Sequence, residues 1–127
     1  MNNLMKDKRG LVMGVANDKS IGWGIAKAIA DQGGELAFTY QGEALKKRVI
    51  PLADSVNSDI VLPCDVSNDE DIDNTFNELK KVWPKIDFLV HAIAFSDKDE
   101  LKGEYIDTSR ENFINTMDIS VYSFTAI

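Results

Sequence analysis

The residues of this 127-residue chain best placed to do chemistry lie between positions 14 and 26, GVANDKSIGWGIA. The apolar run Leu11-Val12-Met13 precedes them, and a helical pattern, Ile25, Ala26, Ile29 and Ala30, follows. A strand that breaks at glycine and restarts as a helix points free backbone N–H groups at whatever lies above the turn, and the helix dipole adds positive potential there. Such a turn seats a pyrophosphate, so the first expectation is a nucleotide cofactor. Gly14, Gly22 and Gly24 are spaced more widely than in G-x-G-x-x-G, so their place between first strand and first helix carries the inference. Gly14 is expected to allow a tight exit from the strand and Gly24 to allow close packing of helix on sheet. Ser20 is expected to cap the helix and offer a hydroxyl to a phosphate oxygen. The alternative is a structural turn in which Ser20 is only an N-cap.

Three further strand exits carry polar or small residues. After the second strand come Thr39-Tyr40-Gln41-Gly42-Glu43, where dinucleotide sites often hold an acidic residue on the ribose 2′-OH. Gln41 can hydrogen-bond a 2′-OH, Glu43 would repel a 2′-phosphate, and Lys46, Lys47 and Arg48 could reach back from the next helix; the balance favours NADH over NADPH. After the third strand, Asp65 could meet an adenine amino group or cap the following helix, for which Ser67 and Asn68 are better placed. Cys64 reads as a small buried hydrophobe. After the fourth, His91-Ala92-Ile93-Ala94-Phe95-Ser96 offers small residues that let backbone approach a cofactor. His91, the sole histidine, reads as structural, and no metal-ligand spacing occurs.

These exits require an alternating chain. Leu11–Val15 reads as a strand and Ile21 to about Gln32 as a helix stopped by Gly33-Gly34. Glu35–Tyr40 is a second strand, and Gly42 to about Val56 a helix that Pro51 should kink or end. Asp59–Cys64 is a third strand, Asn68–Trp83 a helix stopped by Pro84, and Asp87–Phe95 a fourth strand. A last helix begins near Ser109 with Phe113, Met117, Val121 and Phe124 on one face. Four such alternations imply an α/β fold: parallel strands, right-handed crossovers and a doubly wound sheet, expected to be Rossmann-type with the order 3-2-1-4.

Composition sets the outer bounds. The length suits one domain, and 44% hydrophobic with 28% charged residues is globular composition. A net charge of −7 disfavours nucleic acid and anionic membrane surfaces. A single cysteine excludes an internal disulfide and fits a reducing compartment. No run approaches the ~18 apolar residues of a membrane span, and Met1 to Lys6 lacks a secretory apolar region. The expected location is the cytoplasm.

Taken together, the motifs resemble the amino-terminal half of bacterial enoyl-acyl-carrier-protein reductases, divergent members of the short-chain dehydrogenase/reductase superfamily. The matching segments are Gly14-Val15-Ala16, Ser20-Ile21, Gly24-Ile25-Ala26, Glu35 through Gln41, Cys64-Asp65-Val66, Val82-Trp83-Pro84, Phe88 through Ile93, Asp118-Ile119-Ser120 and Tyr122-Ser123-Phe124. The resemblance implies NADH held by Gly14, Ser20, Ile21, Gln41, Asp65, Val66 and Ile93, with Ser96 beside the acyl substrate on a mobile loop. Ala92 and Ala94 stand where serine and glycine often occur in the family, and Gly22 replaces a frequent alanine; the methyl of Ala94 narrows the space beside the nicotinamide.

The resemblance further implies hydride transfer to C3 of a trans-2-enoyl thioester carried on acyl carrier protein, in a parent that is a homotetramer. Its catalytic Tyr-x6-Lys pair is expected downstream of Ile127, so residues 1–127 are expected to be the amino-terminal part of one reductase domain, inactive alone. Tyr40 and Lys47 show that spacing, but at the second strand's exit, on the adenosine side, where it is coincidence. Two alternatives remain: a non-catalytic nucleotide-binding or interaction module, or another short-chain reductase, against which Ser20-Ile21 and Gln41 argue. A receiver-type domain needs clustered carboxylates after strand one, where only Asp18 is near. Strand four would lack an outer partner, an open edge that invites association, and the apolar face of the last helix either seeks a partner or packs on its own sheet.

Overall fold

Residues 3–127 are described by a computed structural model; Met1 and Asn2, on which part of the leader argument rests, lie outside them. Four parallel strands, β1 (Arg9–Met13), β2 (Glu35–Tyr40), β3 (Val61–Pro63) and β4 (Phe88–His91), form one sheet in the order β3-β2-β1-β4. The crossovers are α1 (Ile21–Asp31), α2 (Glu43–Ser55) and α3 (Asp69–Val82). After β4 a loop with one 3-10 turn (Tyr105–Asp107) leads to α4 (Arg110–Met117), a π-helical stretch (Asp118–Tyr122) and α5 (Ser123–Ala126).

β1 is central because it is apolar on both faces. Val12 and Val15 pack under α1 and α2 with Trp23, Ala26, Leu36, Phe38 and Val49. Leu11 and Met13 face the other way, onto Ile72, Leu79 and Trp83 of the α3 side. Adjacent β1 residues therefore feed two separate cores, which is why the run carries no polar alternation. In register, Val12 lies beside Phe38 on β2 and Val90 on β4.

The boundaries differ from expectation where the ends of elements are polar or wound. β1 begins two residues earlier and stops at Met13, because Gly14 at φ +104° turns the chain out of the sheet. β3 shrinks to Val61–Pro63 and β4 to Phe88–His91. Pro51 does not end α2, which runs on to Ser55 with Pro51 on its exposed side. α3 runs between Asn68 and Trp83 as its caps: Asn68 Oδ1 accepts from Asp71 N–H (3.2 Å), and acids and lysines flank the dipole. Gly24 does not mediate helix–sheet packing, since a Cβ there would meet nothing within 4 Å. Gly22 does: its Cβ would lie 3.3 Å from Ala92 Cβ and 3.5 Å from Val15.

Of the two arrangements expected for the last helix, the structure shows the one in which its apolar face is left largely uncovered. Phe113, Met117, Val121 and Phe124 stay 42–64% exposed, so the helix does not bury this face on the sheet, although Phe124 touches His91 at its edge. Its polar residues turn inward instead, with Asn112 and Ser123 buried. The Ser123 hydroxyl donates to Ile119 C=O (2.6 Å), which leaves its oxygen to accept from His91 Nε2–H (2.7 Å). His91 thus ties β4 to α5, the structural role expected of it, and its ring meets Phe124 edge-on at 5.4 Å.

The opposite end of the sheet is closed by charge. Arg9 N–H donates to Asp87 Oδ2 (2.9 Å), Asp87 N–H donates to Arg9 C=O (2.7 Å), and Arg9 Nε reaches Glu35 (3.2 Å). The Arg9 N–H bond, with Lys8 and Lys85 nearby, holds the Asp87 carboxyl below its ordinary 3.8 despite some desolvation. A depressed carboxylate stabilises the fold above its unfolded pKa, and that contribution is lost as pH falls through the lower folded value. Asp87→Asn is therefore expected to lower the urea midpoint near neutral pH and to flatten its decline below about pH 4; parallel pH profiles for the two proteins would refute this.

Candidate functional site

All four strands end at one cleft of about 480 Å³. Its walls are Gly14–Ala16 after β1, Thr39–Gln41 at the end of β2, Cys64–Ser67 after β3 and Ala92–Phe95 after β4. Leu45 of α2, Asn115 of α4 and Ile119 of the π-helical stretch complete it. The cleft therefore sits where the crossovers from β1 diverge to opposite faces, the point at which doubly wound sheets bind ligands.

Gly14 sets the depth of the cleft. A Cβ on it would lie 2.0 Å from Ala92 C=O, and its φ of +104° is one that other residues adopt only under strain. Ser20 stands at the N-cap of α1 but does not cap it. Its Oγ instead accepts from Ala16 N–H (3.0 Å) and Asn17 N–H (3.1 Å), bracing the turn. The first turn of α1 thus has no side-chain cap, and its N–H groups keep their capacity for an acceptor from outside the chain. This differs from the capping role expected of Ser20 because two N–H donors of the turn itself take its oxygen.

Of the residues singled out by sequence, Gly14, Gln41, Asp65, Val66 and Ile93 line the cleft. Ser20 and Ile21 lie beside it at the start of α1, and Ser96 lies on the loop just past the wall residue Phe95. Asp65 Oδ1 accepts from Ser67 N–H (3.0 Å) and Ser67 Oγ–H (2.6 Å), so the carboxylate is pre-oriented by its own turn. Lys46 is held near Glu43 (3.8 Å) and over the Tyr40 ring (5.9 Å). Burial pushes the Cys64 thiol above its ordinary 9.0, in keeping with an inert packing role. No group of three potential metal ligands occurs among the described residues.

Asn115 and Ile119 are cleft residues that sequence reading missed. Their signal was the complement of the apolar face: a helix whose hydrophobic stripe points outward turns the residues between those positions inward. Without knowing which way the stripe faced, they could not be found.

A family model described as enoyl-(acyl carrier protein) reductase matches residues 14–127. Enoyl-(acyl-carrier-protein) reductase (NADH) 2 of Rhizobium meliloti strain 1021 is 64% identical over 127 residues, all of this chain and 47% of that protein. The crystal structure of FabI from Candidatus Liberibacter asiaticus superposes with a TM-score of 0.98 at 55% identity, covering all of this chain and 49% of that one. The enoyl-(acyl-carrier-protein) reductase of Anaplasma phagocytophilum, solved in complex with NAD, gives 0.95 at 56% identity, with 100% and 48% covered. The chain spans about half the length of the curated relatives it matches.

The turn after β1 yields a prediction independent of any ligand. Gly14→Ala must relieve both the positive φ and the approach to Ala92 C=O. A loss of at least about 2 kcal/mol in unfolding free energy is expected. Denaturant unfolding with an unchanged midpoint would contradict it.

Proposed function

The chain belongs to the enoyl-(acyl-carrier-protein) reductase family, and on that premise we propose that its cleft binds NADH and serves the reduction of trans-2-enoyl thioesters carried on acyl carrier protein. The observation that carries this reading is the Gly14 cradle beside the uncapped first turn of α1. Together they let the chain leave β1 tight against the Ala92 backbone, where no side chain fits, and present the N–H donors of the first turn of α1 to a pyrophosphate.

In this reading Gly14, Ser20 and Ile21 hold the pyrophosphate, Ser20 by keeping the turn in shape. Gln41 meets the ribose 2′-OH, Asp65 and Val66 the adenine, and Ile93 the nicotinamide side. The Asp65 carboxylate, oriented by Ser67, accepts from an exocyclic amine without rearrangement. NADH over NADPH is supported by Glu43 near Lys46: the pair leaves that lysine partly neutralised and sets a carboxylate where a 2′-phosphate would be repelled. When bound, the nicotinamide supplies the hydride for C3 of the enoyl thioester. Ser96 lies on the acyl side.

The cleft residues include no tyrosine–lysine pair suited to stabilising an enolate. Tyr40 carries Lys46 over its ring at the β2 exit, on the adenosine side. Residues 1–127 are read as the amino-terminal part of a single reductase domain, binding cofactor without turnover by themselves. The exposed stripe Phe113, Met117, Val121 and Phe124 supports assembly of the parent as a homotetramer. An acidic chain with one cysteine, and no described helix long and apolar enough to cross a membrane, supports placement in the cytoplasm.

Two outcomes are expected from titrations and assays of this chain. NADH should bind at least about tenfold more tightly than NADPH, a difference of some 1.4 kcal/mol, and a crotonyl thioester with NADH should not be reduced. Equal affinity for the two cofactors would remove the Gln41–Glu43 argument. Turnover by residues 1–127 alone would overturn the division of labour between this segment and its catalytic complement.

A further inference from the structure

The segment from Phe95 to Ser109 is a strap that contributes little to either core. Leu101, Tyr105 and Ile106 on it are 70–80% exposed. Its position therefore depends on polar contacts with α4 rather than on apolar burial.

Those contacts converge on Asn112, which is nine-tenths buried. Its Oδ1 accepts from Asp97 N–H (3.0 Å), a donor that cannot reverse, and this fixes the orientation of the amide. Nδ2 then faces two hydroxyls, Ser96 Oγ (3.1 Å) and Thr108 Oγ1 (3.3 Å), one at each end of the strap. Thr116 Oγ1 adds a second bond to Ser96 (3.0 Å). Farther out, Glu100 accepts from Ser109 N–H (2.5 Å) and Ser109 Oγ (2.9 Å), while Ser109 Oγ accepts from Asn112 N–H (3.1 Å).

The strap matters because of what begins it. Phe95 lines the cleft and also a second, larger groove beside α4, so it is part of the partition between them. Ser120 Oγ accepts from Phe95 N–H (3.0 Å) and donates to Phe95 C=O (3.2 Å). The second groove carries Asp97, Glu100, Glu111 and Asp118 against Arg110 beside its apolar residues Phe95 and Ile114, a more acidic lining that suits an acyl chain less well than the cleft. Keeping Phe95 in place keeps an apolar chain on the cleft side.

We infer that Asn112 is a positioning residue for the enoyl substrate: by clasping Ser96, Asp97 and Thr108 to α4 it fixes the Phe95 wall on the acyl side of the cleft. The inference rests on the function proposed above. Asn112 does not itself line the cleft, and its side-chain bonds run to the strap and α4 rather than to the β1, β2 or β3 exits, so its effect is confined to the acyl side.

The test is steady-state kinetics of the full-length protein with NADH and a crotonyl thioester, together with amide exchange at Asp97. In Asn112→Ala, KM for the thioester should rise about 3- to 10-fold, the scale of one or two lost hydrogen bonds. KM for NADH should stay within about twofold, and the Asp97 amide should lose protection. Asn112→Asp keeps the acceptor for Asp97 N–H and lets both hydroxyls donate in reverse, so it should restore most of the thioester KM and the protection. Glu100→Ala, at the outer end of the clasp, should give the same one-sided KM change, and it supplies the answer if Asn112→Ala does not fold. Turnover by the unsubstituted protein with an unaltered thioester KM in these variants would overturn the inference alone, as would an equal rise in both KM values. No turnover by the unsubstituted protein would overturn the functional reading and this inference with it.

Discussion

The constraint on which the rest of the structure depends is the near-contact of two strand exits. Ala92 N–H donates to Met13 C=O (2.9 Å), continuing the β1–β4 ladder one residue past the strands, and at the next step Gly14 turns away past Ala92 C=O. No side chain fits between the two backbones. Because β1 leaves toward α1 on one face while the chain after β4 leaves toward α4 on the other, the space above them opens into the cleft. Gly22 extends the same close approach into the first turn of α1, against Ala92 Cβ. A cleft formed by backbone crowding is rigid, which suits a site that must present N–H groups without reorganising.

This origin explains what could be read in the sequence. Parallel strands are apolar on both faces and bounded by breakers, so Leu11-Val12-Met13, Glu35–Tyr40 and the α3 pattern between Asn68 and Trp83 identify themselves, and the Rossmann-type reading supplies the strand order. The strand exits follow from the topology, which is why Gly14, Gln41 and Asp65 could be gathered from the sequence, while Val66 and Ile93 came from the resemblance to the family. Local geometry inside the turns was not legible. Whether Ser20 caps α1 or braces Ala16 and Asn17 depends on sub-ångström placement of competing donors, and residue type favours neither. Gly24 and Gly22 are likewise indistinguishable by composition, and only the rotation of α1 decides which meets the sheet.

The last helix shows a different limit. Its periodicity was clear, but an apolar stripe reports only that one face seeks a nonpolar environment, not which one supplies it. Here the inward face carries Asn112, Thr116, Ser120 and Ser123, all engaged by hydrogen bonds, and the apolar face looks outward. The polar face is the one that could have decided the matter. Four short polar side chains on one side of a helix are costly to bury unless specific partners meet them, and the strap after β4 together with His91 provides those partners. The π-helical stretch falls in the middle of this face, with Ile119 on the cleft wall and its carbonyl taken by Ser123 Oγ.

The two sides of the cleft are therefore held by different physics, and this bears on how the site can vary. The β1 side is fixed by backbone contact and two cores, where any added atom is felt throughout the sheet. The β4 side is fixed by hydroxyl and amide bonds to a strap with exposed apolar residues, which open locally at far lower cost. A ligand fragment common to every turnover belongs on the first side, since it needs the same geometry each time. A fragment of variable length belongs on the second, where the wall can shift by exchanging one hydrogen bond for another. On the function proposed above, the dinucleotide and the acyl chain divide in that way, with Ala94 of the cleft wall where the two sides meet. Ala94 and Phe95 thus sit on the softer side, so differences in acyl preference among such sites are expected to arise there while the Gly14 side stays unchanged.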